Sequence, residues 1–288
     1  MPSPKEPADR DLSPLEAAEA LRWWIRSGVT DALDEEPHDR FADSLARDED
    51  ARSPSNAHAP TIPPSPPALE ARPLRQEAIR AAMPPDAAET SARALAQSAG
   101  DLETLRSILA DFDGCPLKRT ATQLVFADGV PGSRVMFVGE APGADEDRLG
   151  RPFVGRAGQL LDRMLGAIGL DRTSVYIANV VPWRPPGNRT PTPQETQVCL
   201  PFMERQIELA DPEILVCLGA SAVRTLLGVE TGITRARGSW FAYSRGAGRE
   251  IRALAMLHPA FLLRQPAHKR FAWADLRALA KALETSSR

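Results

Sequence analysis

Four short runs dominate the second half of the chain: "SRVMFVGE" (133–140), "SVYIANVV" (174–181), "EILVCLG" (213–219) and "IRALAMLH" (251–258). Each is rich in β-branched and apolar residues with little polar alternation. That is how a strand reads when both of its faces are covered. Helical stretches separate them, roughly 156–168, 193–209, 220–227 and 269–285. Strands that alternate with helices pair in parallel, because each helix supplies the crossover to the next strand. The expectation is a three-layer α/β/α domain around a central four-stranded, mainly parallel sheet. In such a sheet the ligand crevice lies off the carboxyl ends of the strands.

The N-terminal part reads differently. "LSPLEAAEALRWWIRSGVTDAL" (12–33) has the spacing of an amphipathic helix, with Ser13, Pro14 and Glu16 forming its start signal. Residues 34–74 are acidic and then rich in Pro, Ser and Ala, the composition of a disordered linker. A domain over 75–288 follows, opening with a helical lead-in over 75–112 (pieces near 75–82, 86–99 and 101–112). The helix over 1–33 would dock a protein partner or fold back on the domain, and the sequence leaves both open. The first residues are polar with no apolar leader, and no run is apolar enough to span a bilayer. Three cysteines, Cys115, Cys199 and Cys217, make no disulfide framework. A cytoplasmic, monomeric protein with no membrane partner is expected. The net charge of −3 excludes a globally basic nucleic-acid binder, so such a surface would be local.

The predicted strand ends carry the chemistry. The first runs into "GEAPGADEDRLGRPFVG" (139–155), which has glycines but neither a Walker lysine nor a GxGxxG spacing. The others end at Asn179, at Gly219-Ala-Ser221 and at His258. An amide such as Asn179 offers a donor and an acceptor together, which suits the edge of a pyrimidine. His258 can donate to an oxygen that becomes anionic. Phe153, outside any periodic segment, reads as an exposed platform for a base. Glu140 and Glu146 can orient water or stabilise a cationic sugar. Arg151, Arg156, Arg184, Arg189, Arg237, Arg264 and Arg270 fall in loops or helix starts at this edge. With the helix start at Gly219 and Ser221 they form an expected phosphate surface.

Taken together, these motifs resemble the uracil-DNA glycosylase superfamily, most closely its family 4, the iron–sulfur branch. The resemblance runs from about Cys115 to the C-terminus and rests on "GEAPGADED", "GRPFVGRAGQLLDRML", "IANVVPWRPPGNR" and "HPAFLLR". It implies that the partner is uracil-containing DNA and that the reaction removes uracil to leave an abasic site. It implies that Phe153 stacks on a flipped uracil, Asn179 binds its O4/N3 edge and His258 binds O2 of the leaving base. Glu140 would open the pocket, its backbone helping to bind O2, and with Ala141 and Gly143 border it; Glu146 would line the pocket near C5, excluding a methyl group there. Leu262, Leu263 and Arg264 would fill the gap in the base stack; Arg156, Gly219, Ser221 and Arg237 belong to the phosphate surface expected along the DNA from their place at the strand ends. No lysine stands where a Schiff base would form, and the insert of covalently trapping relatives is absent after "PPGNR". A monofunctional glycosylase that turns over is expected.

Two departures stand out. Ala141 replaces the aspartate of the best-known family, leaving Glu140 as the candidate water-activating group. The family's 4Fe–4S cluster needs four thiolates, and the matching positions read Phe112, Cys115, Trp183 and Cys199. No cluster or other cofactor is therefore expected. The two aromatic rings would fill its volume, each contributing about 2–3 kcal/mol by burial. Two rival readings remain: a damaged-DNA-binding protein that kept the pocket without turnover, and a Mg²⁺-dependent nucleotide hydrolase using the acidic loop.

Overall fold

A computed structural model of the chain describes residues 85–244 and 250–286. The helix expected over 12–33, the linker 34–74 and the piece near 75–82 lie outside the described residues.

Two helices lead in, α1 (Pro85–Ser98) and α2 (Leu102–Asp111). The Asp101 carboxylate accepts the Thr104 N–H at 2.7 Å and starts α2. A 3-10 turn (Pro116–Arg119) follows. Then come β1 (Asp128–Gly129), β2 (Val135–Gly139), α3 (Ala144–Leu149), α4 (Arg156–Gly166) and β3 (Tyr176–Asn179). After these are α5 (Pro193–Ala210), β4 (Ile214–Leu218), α6 (Ala220–Leu227), α7 (Ile233–Ala236) and β5 (Trp240–Ser244). The described chain closes with β6 (Glu250–Met256), α8 (Pro259–Arg264) and α9 (Lys269–Ser286).

The sheet has six strands in the order β1-β3-β2-β4-β6-β5. The four expected strands form its parallel centre. Two short antiparallel strands, β1 and β5, are added at the edges. β1 is two residues long and β5 alternates between half-buried, buried and exposed positions. Neither has a pattern of its own, and each becomes a strand only through its neighbour's hydrogen bonds.

Residue alternation along each strand splits the core into two layers. Met136, Val138, Leu215, Cys217, Ala253 and Ala255 face a layer that includes residues of α1, α2 and α5. Phe137, Ile177, Val216, Leu218, Leu254 and Met256 face a layer with α4, α8 and α9. That period of two, with helices on both faces, is the three-layer arrangement. The register decides what meets at the carboxyl edge. Gly139 pairs with Asn179, and Leu218 with Met256. Glu140, Asn179, Gly219 and His258 therefore emerge side by side.

Candidate active site

At that edge lies a cleft of about 1030 Å³. Its lining includes Glu140, Phe153, Asn179, Ser221 and His258, contributed by four separate strand ends and the loop before α4. Ala141, Gly143, Glu146, Gly219 and Arg264 also border it.

Asn179 is buried at the end of β3, and its Oδ1 has no hydrogen-bond partner. Glu140 Oε1 is likewise buried and unpartnered. An unpaired buried polar atom costs about 1–3 kcal/mol, so two in one cleft mark a place kept open for a ligand. Burial raises the Glu140 carboxyl above its ordinary pKa, opposed by a hydrogen bond with Thr190. Gly139 makes room for the Asn179 amide and the Phe153 ring. A Cβ there would lie 2.5 Å from Asn179 Oδ1 and 2.6 Å from the Phe153 ring.

His258 caps α8, and its Nδ1 accepts the Ala260 N–H at 3.1 Å. The ring proton therefore sits on Nε2, free to donate. Burial and the charge of Arg264 push the His258 pKa down to about 4. The donor is a neutral imidazole at physiological pH. Phe153 stacks beside it, ring centres 5.5 Å apart. Phe153 is only 5% exposed, so the platform is a wall of the cleft and not the exposed surface expected.

Phe153 is also held in a left-handed backbone conformation, φ 54°, which a bulky side chain adopts only under constraint. Glu146 supplies that constraint. Its Oε1 accepts the N–H groups of Val154 and Gly155 at 2.9 and 2.8 Å, and its Oε2 accepts the Gly143 N–H at 3.1 Å. The expected place for Glu146, beside the C5 edge of a base, gives way to this role. Both its oxygens already bind backbone, and it clamps the Glu140 loop to the Phe153 loop. Arg172 donates to the carbonyls of Phe153 and Pro152 from the other side. Gly158 lies against the same carbonyl, since a Cβ there would come within 1.6 Å of Phe153 O. Arg172 and Thr190 belong to no motif in the sequence; only the folding of distant loops reveals them.

The acidic stretch 144–149 is helix α3 and not a loop. Asp147 is turned inward, accepting from the Thr122 N–H and hydroxyl at 2.8 and 2.9 Å. "PAFLLR" is also helical, and Leu262 is 1% exposed in the core. Leu262 is thus removed from the expected DNA wedge. Leu263 is half-buried, packed against the same core layer, and Arg264 is exposed. Arg237 does not reach for phosphate: it pairs with the buried Asp275, Nε to Oδ2 at 2.9 Å. Arg151 pairs with Asp128 and Arg189 with Glu195. Arg156, at the start of α4, is exposed. The basic surface is therefore narrower than the arginine count implies.

A parallel sheet whose edge gathers an amide and a carboxyl, each with one unpaired oxygen, an aromatic wall and a neutral imidazole donor defines a protein that binds a planar, hydrogen-bonding ring. Residues 126–277 match the model of the uracil DNA glycosylase superfamily, and the chain belongs to that family. It is 44% identical over 151 residues to the type-4 uracil-DNA glycosylase of Thermotoga maritima, covering 52% of this chain and 77% of the relative. It is 44% identical over 156 residues to the type-4 enzyme of Archaeoglobus fulgidus, covering 53% and 78%. For that of Pyrobaculum aerophilum the figures are 41% over 171 residues, 58% and 87%.

The four positions expected for a family cluster come together in one apolar core with Phe202. Phe112 and Phe202 pack with ring centres 5.1 Å apart, and Trp183 is fully buried. Cys199 Sγ donates to Cys115 Sγ at 3.7 Å. Two thiols and two aromatic rings do not fit the donor set of a 4Fe–4S cluster. Among the described residues no three His, Cys, Asp or Glu side chains come together to hold a metal ion. No described helix is long and apolar enough to cross a membrane.

Proposed function

We propose that this chain is a monofunctional uracil-DNA glycosylase, which flips uracil out of DNA and hydrolyses its N-glycosidic bond. The observation that carries the reading is the pair of unpartnered acceptors, Glu140 Oε1 and Asn179 Oδ1, in a cleft walled by Phe153 and His258. The uracil N3–H is a donor of the kind Asn179 Oδ1 lacks, and the same amide's NH₂ can serve O4. Unstacking the base costs a few kcal/mol, which the wall of Phe153 offsets. As the glycosidic bond stretches, negative charge grows on uracil O2 and positive charge on the sugar. The His258 Nε2–H faces that oxygen as a fixed neutral donor, worth about 3 kcal/mol. Glu140, as carboxylate, orients the water and balances the cationic sugar. Arg156, Arg264 and the start of α6 at Gly219 and Ser221 take the flanking phosphates.

The two thiols and two aromatic rings at the four cluster positions support activity without an iron–sulfur cluster. One observation favours a second reading, a binder of damaged DNA without turnover: Ala141 offers no carboxyl beside Glu140. A single assay separates them. The purified chain is incubated in EDTA with single-stranded and U:G duplex oligonucleotides, then with alkali. Strand cleavage at uracil, abolished in His258→Ala, is the expected result. Retained binding with no cleavage would leave the binder.

A further inference from the structure

We infer that Cys115 and Cys199 form a modification site, a thiol pair that closes into a reversible disulfide when it meets hydrogen peroxide or a similar small two-electron oxidant. The inference is independent of the glycosylase reading, which uses neither residue.

The two sulfurs come from distant parts of the chain, 84 residues apart, and lie 3.7 Å from each other. Cys115 precedes the 3-10 turn Pro116–Arg119, and Cys199 lies inside α5. They are 0% and 1% exposed, surrounded by the apolar cluster of Phe112, Trp183 and Phe202. Cys199 Sγ donates to Cys115 Sγ, and the Cys115 sulfur also accepts from the backbone N–H groups of Leu117 and Lys118, which hold it toward its partner; the third cysteine, Cys217, lies in β4 and is free. A disulfide needs a separation of about 2.05 Å, so the sulfurs must close by roughly 1.7 Å. Cys115 sits in irregular chain between Gly114 and Pro116, so no helix or strand ladder fixes its backbone.

The chemistry balances with peroxide alone. The Cys115 sulfur attacks one peroxide oxygen, the O–O bond breaks, and a sulfenic acid forms as water leaves. The Cys199 sulfur then attacks that sulfenic sulfur, the S–O bond breaks and a second water leaves. Two thiols lose two protons and two electrons, and one peroxide becomes two waters. Peroxide is close to water in size, so it can reach a buried pair that larger disulfides cannot. The product ties the segment after α2 to α5 across a long loop, which restricts the unfolded chain.

The test uses the full chain, purified under reductant, freed of it under nitrogen and treated with peroxide. The intact mass is expected to fall by about 2 Da, the two hydrogens lost on oxidation. Alkylatable thiols under denaturant should drop from the three of the sequence to one, and an unreduced digest should join the Cys115 and Cys199 peptides. The melting temperature should rise by about 5–10 °C and return with dithiothreitol. Cys115→Ala and Cys199→Ala should each abolish the mass loss. The wild-type digest decides alone if either variant fails to fold. Three free thiols after treatment, a link to Cys217, oxygen addition without a link, or a preparation holding stoichiometric iron with absorbance near 400 nm would each overturn it. Uracil excision, assayed alongside on the reduced protein, reports on the glycosylase reading separately.

Discussion

The base cleft and the thiol lobe are built from neighbouring stretches of chain by opposite rules. Asn179 ends β3 and Trp183 stands four residues further along the chain. Asn179 is buried with an acceptor unpaired, whereas Trp183 is buried among rings, methyl groups and thiols. In the cleft, polar atoms carry a standing cost that a ligand relieves. In the lobe, every group is satisfied by its neighbours and nothing is left to bind. Changes in the cleft should therefore cost function and spare stability, and changes in the lobe should do the reverse.

The largest effect tests the lobe. Trp183→Ala should lower unfolding free energy by about 3–5 kcal/mol, the range for an emptied aromatic site. Urea unfolding measures it, and a loss under 1 kcal/mol would mean that the rings do not carry the lobe. Next comes the cleft. Asn179→Ala should reduce kcat/KM on a uracil oligonucleotide by about 10²–10³, while the urea midpoint stays near wild type, since no protein hydrogen bond to Oδ1 is lost. A large stability loss there would break the contrast.

Glu146→Ala falls between the two regions, because that carboxylate shapes the cleft without reading the base. It should cost about 1.5–3 kcal/mol per charged hydrogen bond removed, less what water restores. Excision should slow as Phe153 loosens. Full activity with unchanged stability would deny it the clamp.

The smallest effect is a pH dependence. His258 titrates at about 4 in the folded chain and ordinarily at about 6.5. The unfolded chain thus takes up the proton first as pH falls. Stability from this residue is whole above pH 6.5 and is lost between there and 4; over the interval from pH 7.5 to 5 the loss is on the order of 2 kcal/mol. Glu140 works the other way, because burial raises its carboxyl: the folded chain binds that proton more readily, so acid favours folding there. The informative quantity is the difference in urea midpoint between wild type and His258→Gln at pH 7.5 and 5. Equal differences at both pH values would contradict the depressed pKa.

Much of the cleft is legible in the sequence. The four central strands are continuous apolar runs, and Glu140, Asn179, Gly219 and His258 sit at their ends, where a parallel sheet must present its ligand. The edge strands β1 and β5 were not legible, since they borrow their conformation from β3 and β6. Nor was the helical state of "PAFLLR", whose start depends on the His258 ring accepting from Ala260. Glu146, Arg237 and Leu262 were expected to face the ligand; Glu146 borders the cleft but spends both oxygens on backbone, Arg237 pairs with Asp275, and Leu262 is buried in the core.

What the sequence determined by itself was the order of strands and helices and the residue types at the strand ends. Those follow from periodicity and local chemistry along one stretch of chain. Only the tertiary structure decided which polar groups remain unpaired, which arginines are consumed by Asp128, Glu195 and Asp275, and that two thiols 84 residues apart come within 3.7 Å. Pairing is a relation between segments distant in the chain, and no local pattern encodes the partner.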